Sequence, residues 1–318
     1  MRNCRFLYIK KIYINILCLK VKYKIRVIIL KKEWQKRRKI CGRVIPSDEQ
    51  ANEMIAEMIR EGAPFCLLRP GHAEFEFARL WDEHTFFGTE KYQGPGMYGI
   101  LDNNDGYAER WVRSFEEDLK EADILAYFDE NSYTEDYLTE AYTEPKHIIL
   151  LRQIEVMQME KPWLLELKGK KVLVISPFAE TMEKQYQRRD LIWGGREILP
   201  EMDIRFLKSV WYINKGDNSG FDNWFAALDY LLAEASKIDF DIALIGCGPF
   251  STFLAARFKR EGKQAIQYGG ALQMLFGIRG ARWDNMEKYR KYFNECWVRP
   301  PAEEAPDGSA KLDNKCYW

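Results

Sequence analysis

Histidine and cysteine are scarce in this sequence, and the few that occur are widely separated. The 318 residues include 3 His and 7 Cys, with no CxxC pair and no Cys and His at zinc-ligand spacing. The sequence therefore indicates no zinc site, and scattered cysteines in odd number are expected to be reduced thiols. His72, His84 and His147 are too distant in sequence to indicate a metal site by themselves.

Long apolar runs are also missing. The longest uncharged stretch near the start covers residues 12–19, far short of the roughly 20 apolar residues that a membrane-spanning helix needs. Basic residues recur on both sides of it and no clear small-residue cleavage site follows, which argues against a secretory signal. We therefore expect a cytoplasmic protein.

Composition bias is weak over most of the chain. Hydrophobic residues make up 47% and charged residues 30%, which is typical of a globular protein and argues against disordered, collagen-like and coiled-coil classes. The length permits one large domain with an extension. We expect a basic extension over residues 1–45, an α/β domain over 46–299, and a loosely ordered tail over 300–318.

Charge is distributed unevenly. Residues 1–43 hold 15 Lys and Arg against a single acidic residue, Glu33, so this segment carries +14 and the rest of the chain −14. One interpretation is an arm that binds an anionic membrane leaflet, where each basic residue contributes about 1 kcal/mol. A solvated basic arm, or a start codon placed too far upstream, explains the same residues. No recognised nucleic-acid-binding fold follows, so nucleic acid is not an expected partner.

From residue 46 onward, short apolar runs alternate with helical stretches. The runs predict buried strands at residues 65–68, 124–128, 147–151, 171–176, 204–207, 240–245 and 264–268. Helices are predicted at residues 48 to about 60, from near 74, and at 107–121, 178–189, 221–235 and 251–261. This alternation predicts an α/β fold with a mainly parallel sheet and helices on both faces, with loop sites at the carboxyl ends of the strands.

The segment 241–252 is an apolar strand that turns through Gly246 and Gly248 into a helix beginning with Ser251 and Thr252. Glycine lets the backbone approach a ligand closely, and a helix N-terminus offers N–H groups to a diphosphate. A plain strand-to-helix turn explains the same residues. A dehydrogenase or a methyltransferase would need an acidic residue at the end of the next strand, 264–268, which has none.

A second polar turn, residues 69–74, contains Arg69, Gly71, His72 and Glu74. Arg69 can pair with phosphate or carboxylate, and Glu74 can bind a divalent cation or act as a base. As a carboxylate in the first turn of a helix, Glu74 is equally explained by the helix dipole, and a lone histidine such as His72 is more often structural.

Two further loops follow strands or precede helices. Ser176 and Pro177 read as the N-cap and first residue of a helix, although a polar loop at a strand end can also line a crevice. The loop 98–104 is rich in Gly and Asn and is explained equally well as a turn.

Taken in order, these segments resemble a known family. The Glu74 turn, the Gly99–Ile100 loop with the helix that ends before Ile124, the Ser176 turn, and residues 244–270 with their continuation to Trp283 resemble the GT-D-type glycosyltransferase domain of bacterial cell-surface polysaccharide clusters. The resemblance covers roughly residues 46–298. It implies a Rossmann-like, GT-D-like fold and transfer of a sugar from a nucleotide-sugar donor to a glycan or lipid-linked acceptor.

The resemblance also implies a site. Glu74 and His72 are the implied catalytic residues, and Glu74 is the implied metal ligand. The implied donor-binding residues are Arg69, Gly71, Ser176, Gly246, Gly248, Ser251, Thr252, Tyr268, Gly269 and Gly270. Such an enzyme would work in the cytoplasm, peripherally at the inner membrane leaflet if residues 1–43 bind anionic lipid.

One position departs from the family pattern. The family turn typically reads Arg-x-Gly-Asp-Gly-Glu, whose two carboxylates are associated with Mg²⁺ or Mn²⁺, but His72 stands at the Asp position here. One carboxylate plus imidazole is a poorer magnesium site, although softer divalent ions accept imidazole. The alternatives are therefore a catalytically degenerate GT-D-like binding or scaffold protein and, less favoured, a nucleotide-binding oxidoreductase.

Overall fold

The computed structural model describes residues 39–82, 105–128, 132–212, 220–305 and 316–318. The loop 98–104 and nearly all of the basic extension therefore lie outside the described residues. From the extension, β1 (Lys39–Ile40) and β2 (Arg43–Val44) form a short antiparallel hairpin. Ile40 is buried in the core, so this hairpin belongs to the folded domain.

Seven strands of the described residues form one parallel sheet, in the order β5-β4-β3-β9-β8-β6-β7. They are β3 (Phe65–Leu68), β4 (Ile124–Tyr127), β5 (His147–Leu150), β6 (Lys171–Ser176), β7 (Asp203–Lys208), β8 (Ile242–Ile245) and β9 (Gln264–Gln267). Each coincides closely with a predicted apolar run. The predicted α/β fold with a parallel, Rossmann-like sheet is confirmed.

Helices connect the strands. They are α1 (Asp48–Glu61), α2 (His72–Asp82), α3 (Asp105–Leu119), α4 (Ser132–Tyr142), α5 (Ala179–Tyr186), α6 (Arg189–Ile192), α7 (Trp224–Ala235), α8 (Phe250–Arg260), α9 (Leu272–Leu275) and α10 (Glu287–Arg290). The start of α1 is capped as predicted, because the Ser47 hydroxyl accepts from the Gln50 N–H (3.2 Å) while the Gln50 side chain accepts from the Ser47 N–H (2.9 Å). Among the described residues no helix combines the length and the apolar character needed to cross a membrane.

Both faces of the sheet are buried. Successive side chains of a strand point to opposite faces. Leu68 belongs to an apolar cluster that includes residues of α2, α3, α4, α7 and α8, whereas Leu67 belongs to one that includes residues of α1, α5 and α9. A parallel sheet covered on both faces needs continuous apolar strands, which explains why the apolar runs located the strands so well.

The described parts of segment 300–318 are packed against the domain. Glu304 is buried and accepts hydrogen bonds from the N–H (3.1 Å) and the hydroxyl (2.6 Å) of Thr181, in the first turn of α5. Residues 316–318 pack beside the carboxyl ends of the strands. The remainder of the expected loosely ordered tail, residues 306–315, lies outside the described residues.

Candidate functional site

A cleft of about 410 Å³ opens at the carboxyl ends of β3, β9, β8 and β6. The chain leaves β3 and β8 toward one face of the sheet, through α2 and α8, and leaves β6 and β9 toward the other, through α5 and α9. Diverging connections leave a crevice between them, which is where α/β sheets bind ligands. The connections of the sheet therefore determine the position of the cleft at its carboxyl edge.

Nine of the predicted site residues line this cleft. They are Arg69, Gly71, His72, Glu74, Ser176, Gly246, Gly248, Gly269 and Gly270. The glycine-bearing turn before α8 and the polar turn before α2, which are far apart in sequence, thus face the same space.

Ser251, Thr252 and Tyr268 do not line the cleft. The Ser251 hydroxyl accepts from the Cys247 N–H (3.0 Å), and the Thr252 hydroxyl donates to Gln267 Oε1 (3.1 Å). The Tyr268 ring is fully buried, its hydroxyl donates to the Met157 sulfur (3.4 Å), and burial raises the pKa of Tyr268 well above its usual range. Where the sequence predicted donor contacts, these three side chains instead hold the wall of the cleft in place.

Arg69 is anchored at the floor of the cleft. Its Nη1 donates to the Tyr268 carbonyl (2.6 Å), and its backbone N–H donates to Gln267 Oε1 (2.8 Å). Among the described residues the buried Nε has no hydrogen-bond partner. Burial lowers the pKa of Arg69, but a guanidinium remains protonated in proteins. A Cβ at Gly269, whose φ is +71°, would collide with Nη1, so this glycine keeps the guanidinium in position.

Glu74 lies in the first turn of α2 and is 8% exposed. A Cβ at Gly71 would collide with its carboxylate, so Gly71 provides the space in which that carboxylate lies. His72 is more exposed, at 40% of its side chain, and its Nε2 lies 3.7 Å from Glu76 Oε2. Glu74 is therefore held within the cleft wall, whereas His72 lies nearer its mouth.

The described residues of the cleft offer one carboxylate and one imidazole, which do not make up a magnesium or manganese site built from protein side chains alone. In the part of the chain that the structure describes, no three side chains of the His, Cys, Asp or Glu types are grouped to hold a metal ion. Of the acidic side chains there, Glu74 alone lines the cleft. The family's carboxylate pair is not reproduced, because His72 replaces one member.

The start of α8 offers a positive helix end. Gly248 and Phe250 line the cleft, the first turn of α8 contains no acidic residue, and no side chain caps it. By contrast, Glu74 lies in the first turn of α2, and Glu304 binds the first turn of α5. An uncapped helix N-terminus without an acidic side chain attracts anions.

Two neighbouring side chains have structural roles. Burial raises the pKa of the Cys247 thiol to about 12, so the reactive thiolate is not formed near neutral pH. The buried Ser176 hydroxyl accepts from the Phe178 N–H (3.1 Å), and α5 begins at Ala179 rather than at Pro177 as predicted. Ser176 therefore shapes the turn that carries Phe178 into the cleft.

Residues 316–318 form a strap along the cleft. Its backbone carbonyl oxygens accept hydrogen bonds from residues 273–282. The Ala281 N–H donates to the Trp318 carbonyl (3.0 Å), and the Arg282 N–H donates to the Cys316 carbonyl (2.9 Å). The Gln273 side-chain amide donates to the Tyr317 carbonyl (3.2 Å). Tyr317 lines the cleft, and the Arg282 guanidinium carbon lies 4.8 Å from the centre of its ring. The strap is therefore fixed to α9 and to the segment that follows it.

Sequence reasoning missed several lining residues: Phe128, Val210, Trp211, Tyr212, Gln267, Gln273, Arg282 and Tyr317. Residues 210–212 follow β7, so the strand-end rule that located Glu74 also applies to them. Arg282 and Tyr317 follow no strand of the sheet, and no sequence signal marks them.

The cleft thus combines a partly buried cation, one carboxylate, an uncapped helix N-terminus and aromatic walls. Such a set can bind a phosphate-bearing ligand, hold its apolar part, and accept or organise a proton. No protein-family model, curated protein or solved structure matches the chain.

Proposed function

We propose that the protein is a glycosyltransferase that moves a sugar from a nucleotide-sugar donor to a hydroxyl group of a glycan or a lipid-linked acceptor. The observation that carries the proposal is the convergence of Arg69, Glu74 and the turn at Gly248 on one cleft at the carboxyl edge of the sheet. Surface polysaccharide synthesis is the context that the resemblance to the GT-D family supplies.

Two groups are suited to the donor diphosphate. The Arg69 guanidinium is a fixed cation, and charges interact more strongly in a buried site than in water. The N-terminus of α8 adds backbone N–H groups aligned with the helix dipole. Both stabilise the negative charge that develops on the departing nucleoside diphosphate.

Glu74 takes one of two roles in this proposal. As a base, it accepts the proton of the acceptor hydroxyl while that oxygen bonds to the anomeric carbon. The bond from this carbon to the diphosphate oxygen breaks, and its electron pair leaves with the nucleoside diphosphate. In the other role, Glu74 organises the charge of the bound donor without accepting a proton.

The test uses the purified full chain and a panel of nucleotide sugars, with binding measured by calorimetry and release of nucleoside diphosphate measured over time. We expect at least one donor to bind and to be hydrolysed slowly. Glu74→Gln is expected to reduce release about 100-fold or more if Glu74 is the base. Glu183→Gln is the control, because Glu183 is an exposed helix carboxylate that does not line the cleft. Absence of binding across the panel would refute the proposal.

A degenerate, non-catalytic binding protein is the second candidate, and His72 is the observation that favours it. If the chain binds donors without releasing product, His72→Asp restores the family's pair of carboxylates. Release by His72→Asp with added Mn²⁺, and none by the parent, would identify a degenerate enzyme. An oxidoreductase is less favoured, because β9 ends in Gln267, whose amide oxygen already accepts from Arg69 and Thr252.

The site of action is proposed to be the cytoplasm, with residues 1–43 holding the protein at the anionic inner membrane leaflet. The support is the charge of +14 in this segment. Attraction between these basic residues and anionic lipid headgroups would bring the cleft near a lipid-linked acceptor.

A further inference from the structure

The cleft has two chemically different ends. At the first end, the loops that follow the neighbouring strands β3, β9 and β8 carry Arg69, Gly269 and Gly248. At the second end, the loops that follow β6 and β7 carry Phe178 and Trp211. Neighbouring strands lie about 4.8 Å apart, so the β8 and β7 loops are separated by about 10 Å. This separation is comparable to that between the diphosphate and the base of a nucleotide.

Aromatic rings form the wall at the second end. The ring centre of Trp318 lies 5.8 Å from that of Phe178 and 5.5 Å from that of Trp211. Trp318 is also 6.2 Å from Tyr317, which lines the cleft. The strap thus connects the loops after β6 and β7 to the segment after α9 and completes an aromatic wall.

We propose that this wall, formed by Phe178, Trp211 and Tyr317, is the subsite for the nucleobase of the donor, and that the strap is part of it. Flat rings offer stacking surfaces to any base, and such stacking does not need a charged partner. The base then lies at the β6–β7 end while the diphosphate lies at Arg69 and α8. This inference rests on the proposed function and specifies which part of the cleft recognises which part of the donor.

The test compares two kinds of probe by calorimetry: inorganic pyrophosphate, and a panel of UDP, ADP, GDP, CDP and TDP. Tyr317→Ala is expected to weaken binding of the preferred nucleoside diphosphate about fivefold or more, the range of one base–aromatic stack, and to leave pyrophosphate affinity unchanged. Tyr230→Ala is the control, because Tyr230 is an exposed aromatic residue outside the cleft lining and should leave both affinities unchanged.

Tyr317→Leu keeps much of the apolar volume but lacks the flat ring. It replaces Tyr317→Ala in the same measurement if Tyr317→Ala does not fold. Selective loss of nucleoside diphosphate binding in either folded variant supports the subsite. If the parent binds pyrophosphate as tightly as every nucleoside diphosphate, or if Tyr317→Leu binds like the parent, the subsite is refuted while the diphosphate site stands. If the parent binds neither kind of probe, the proposed function fails, and the subsite fails with it.

Discussion

At the scale of single residues, the absence of a Cβ at two glycines leaves room for the charged groups of the cleft. Gly71 leaves space for Glu74, and Gly269 leaves space for Arg69. The glycines therefore shape the cleft even though they contribute no functional group.

Gly269→Ala is predicted to weaken binding of pyrophosphate and of nucleoside diphosphates, because its methyl group displaces Arg69. It should also destabilise the protein by about 1 kcal/mol or more, since L-residues disfavour a positive φ. Gly262→Ala is the matched control: its φ is +82° and the space around it is open. Urea unfolding should show a lower free energy of unfolding for both variants. Calorimetry should show a loss of affinity for pyrophosphate and nucleoside diphosphates for Gly269→Ala alone. Equal affinities in the two variants would contradict the assigned role of Arg69.

At the scale of secondary-structure elements, α8 has opposite tasks at its two ends. Its N-terminus faces the cleft without an acidic residue, and its last turn carries Arg257, Lys259 and Arg260. Lys259 pairs with Asp123 (2.8 Å), and Arg260 pairs with Asp118 (2.6 Å). The positive end of this helix thus faces the cleft, while cationic side chains at its other end pair with α3 and with the residue before β4.

Gly248→Asp is predicted to weaken binding of pyrophosphate about tenfold or more, because it places a negative charge at the N-terminus of α8. Gly248→Asn is the control: both side chains have similar size and tolerate the φ of +60° at this position. The two variants should unfold at similar urea concentrations but differ in their affinity for pyrophosphate. This difference in affinity should become smaller as salt is added. Equal affinities would show that no anion binds at this helix end.

The Lys259–Asp123 pair is predicted to stabilise the fold. Burial alone would raise the pKa of Asp123, but hydrogen bonds from Lys259 and from the Cys66 N–H lower it overall. Lys259→Met should therefore lower the free energy of unfolding by about 2 kcal/mol at neutral pH, because it leaves the buried carboxylate of Asp123 without its main partner. Lys171→Met, which breaks an exposed ion pair with Asp239, should lower the free energy of unfolding much less than Lys259→Met does.

The sign of the pH dependence follows from the lowered pKa of Asp123. Its stabilising contribution is present above the unfolded value of about 3.9 and is lost as the pH falls through the lower folded value. The difference in unfolding free energy between the parent and Lys259→Met should therefore shrink as the pH falls toward and below about 4. A difference that stays constant with pH would assign the effect of Lys259 to packing.

The strands and the convergence of their loops could be predicted, because buried parallel strands are nearly continuous apolar runs whose ends meet at one edge. Helix α4 was missed: its sequence, Ser132–Tyr142, is polar and its apolar stripe is narrow. The position of Tyr317 could not be predicted either, because it depends on hydrogen bonds with residues 273–282 that no local pattern encodes. The resemblance implies that Tyr268 contacts the donor, but its ring lies in the core.

At the scale of the whole molecule, charge is divided between a basic extension and an acidic domain. Ile40 in the β1–β2 hairpin is part of the core, so a deletion that tests the extension should end at residue 38. The domain that remains keeps every described contact of the cleft.

The full chain is predicted to sediment with vesicles that contain anionic lipid and to be released by high salt, because the attraction is electrostatic. The variant that lacks residues 1–38 should stay in the supernatant while binding nucleoside diphosphate with the affinity of the full chain. Neutral vesicles are the control for both proteins. Equal sedimentation of the two proteins with anionic vesicles would remove the proposed membrane role of the extension.

The strap also has a consequence for biosynthesis. The cleft is assembled from residues between Arg69 and Tyr317, so the wall that contains Tyr317 exists only after the chain has been synthesised beyond this residue. A nucleotide that binds the finished wall stabilises the native state but cannot assist the nascent chain at earlier stages. The strands of the sheet, the last of which ends at Gln267, are therefore all synthesised before the wall that contains Tyr317 can be completed.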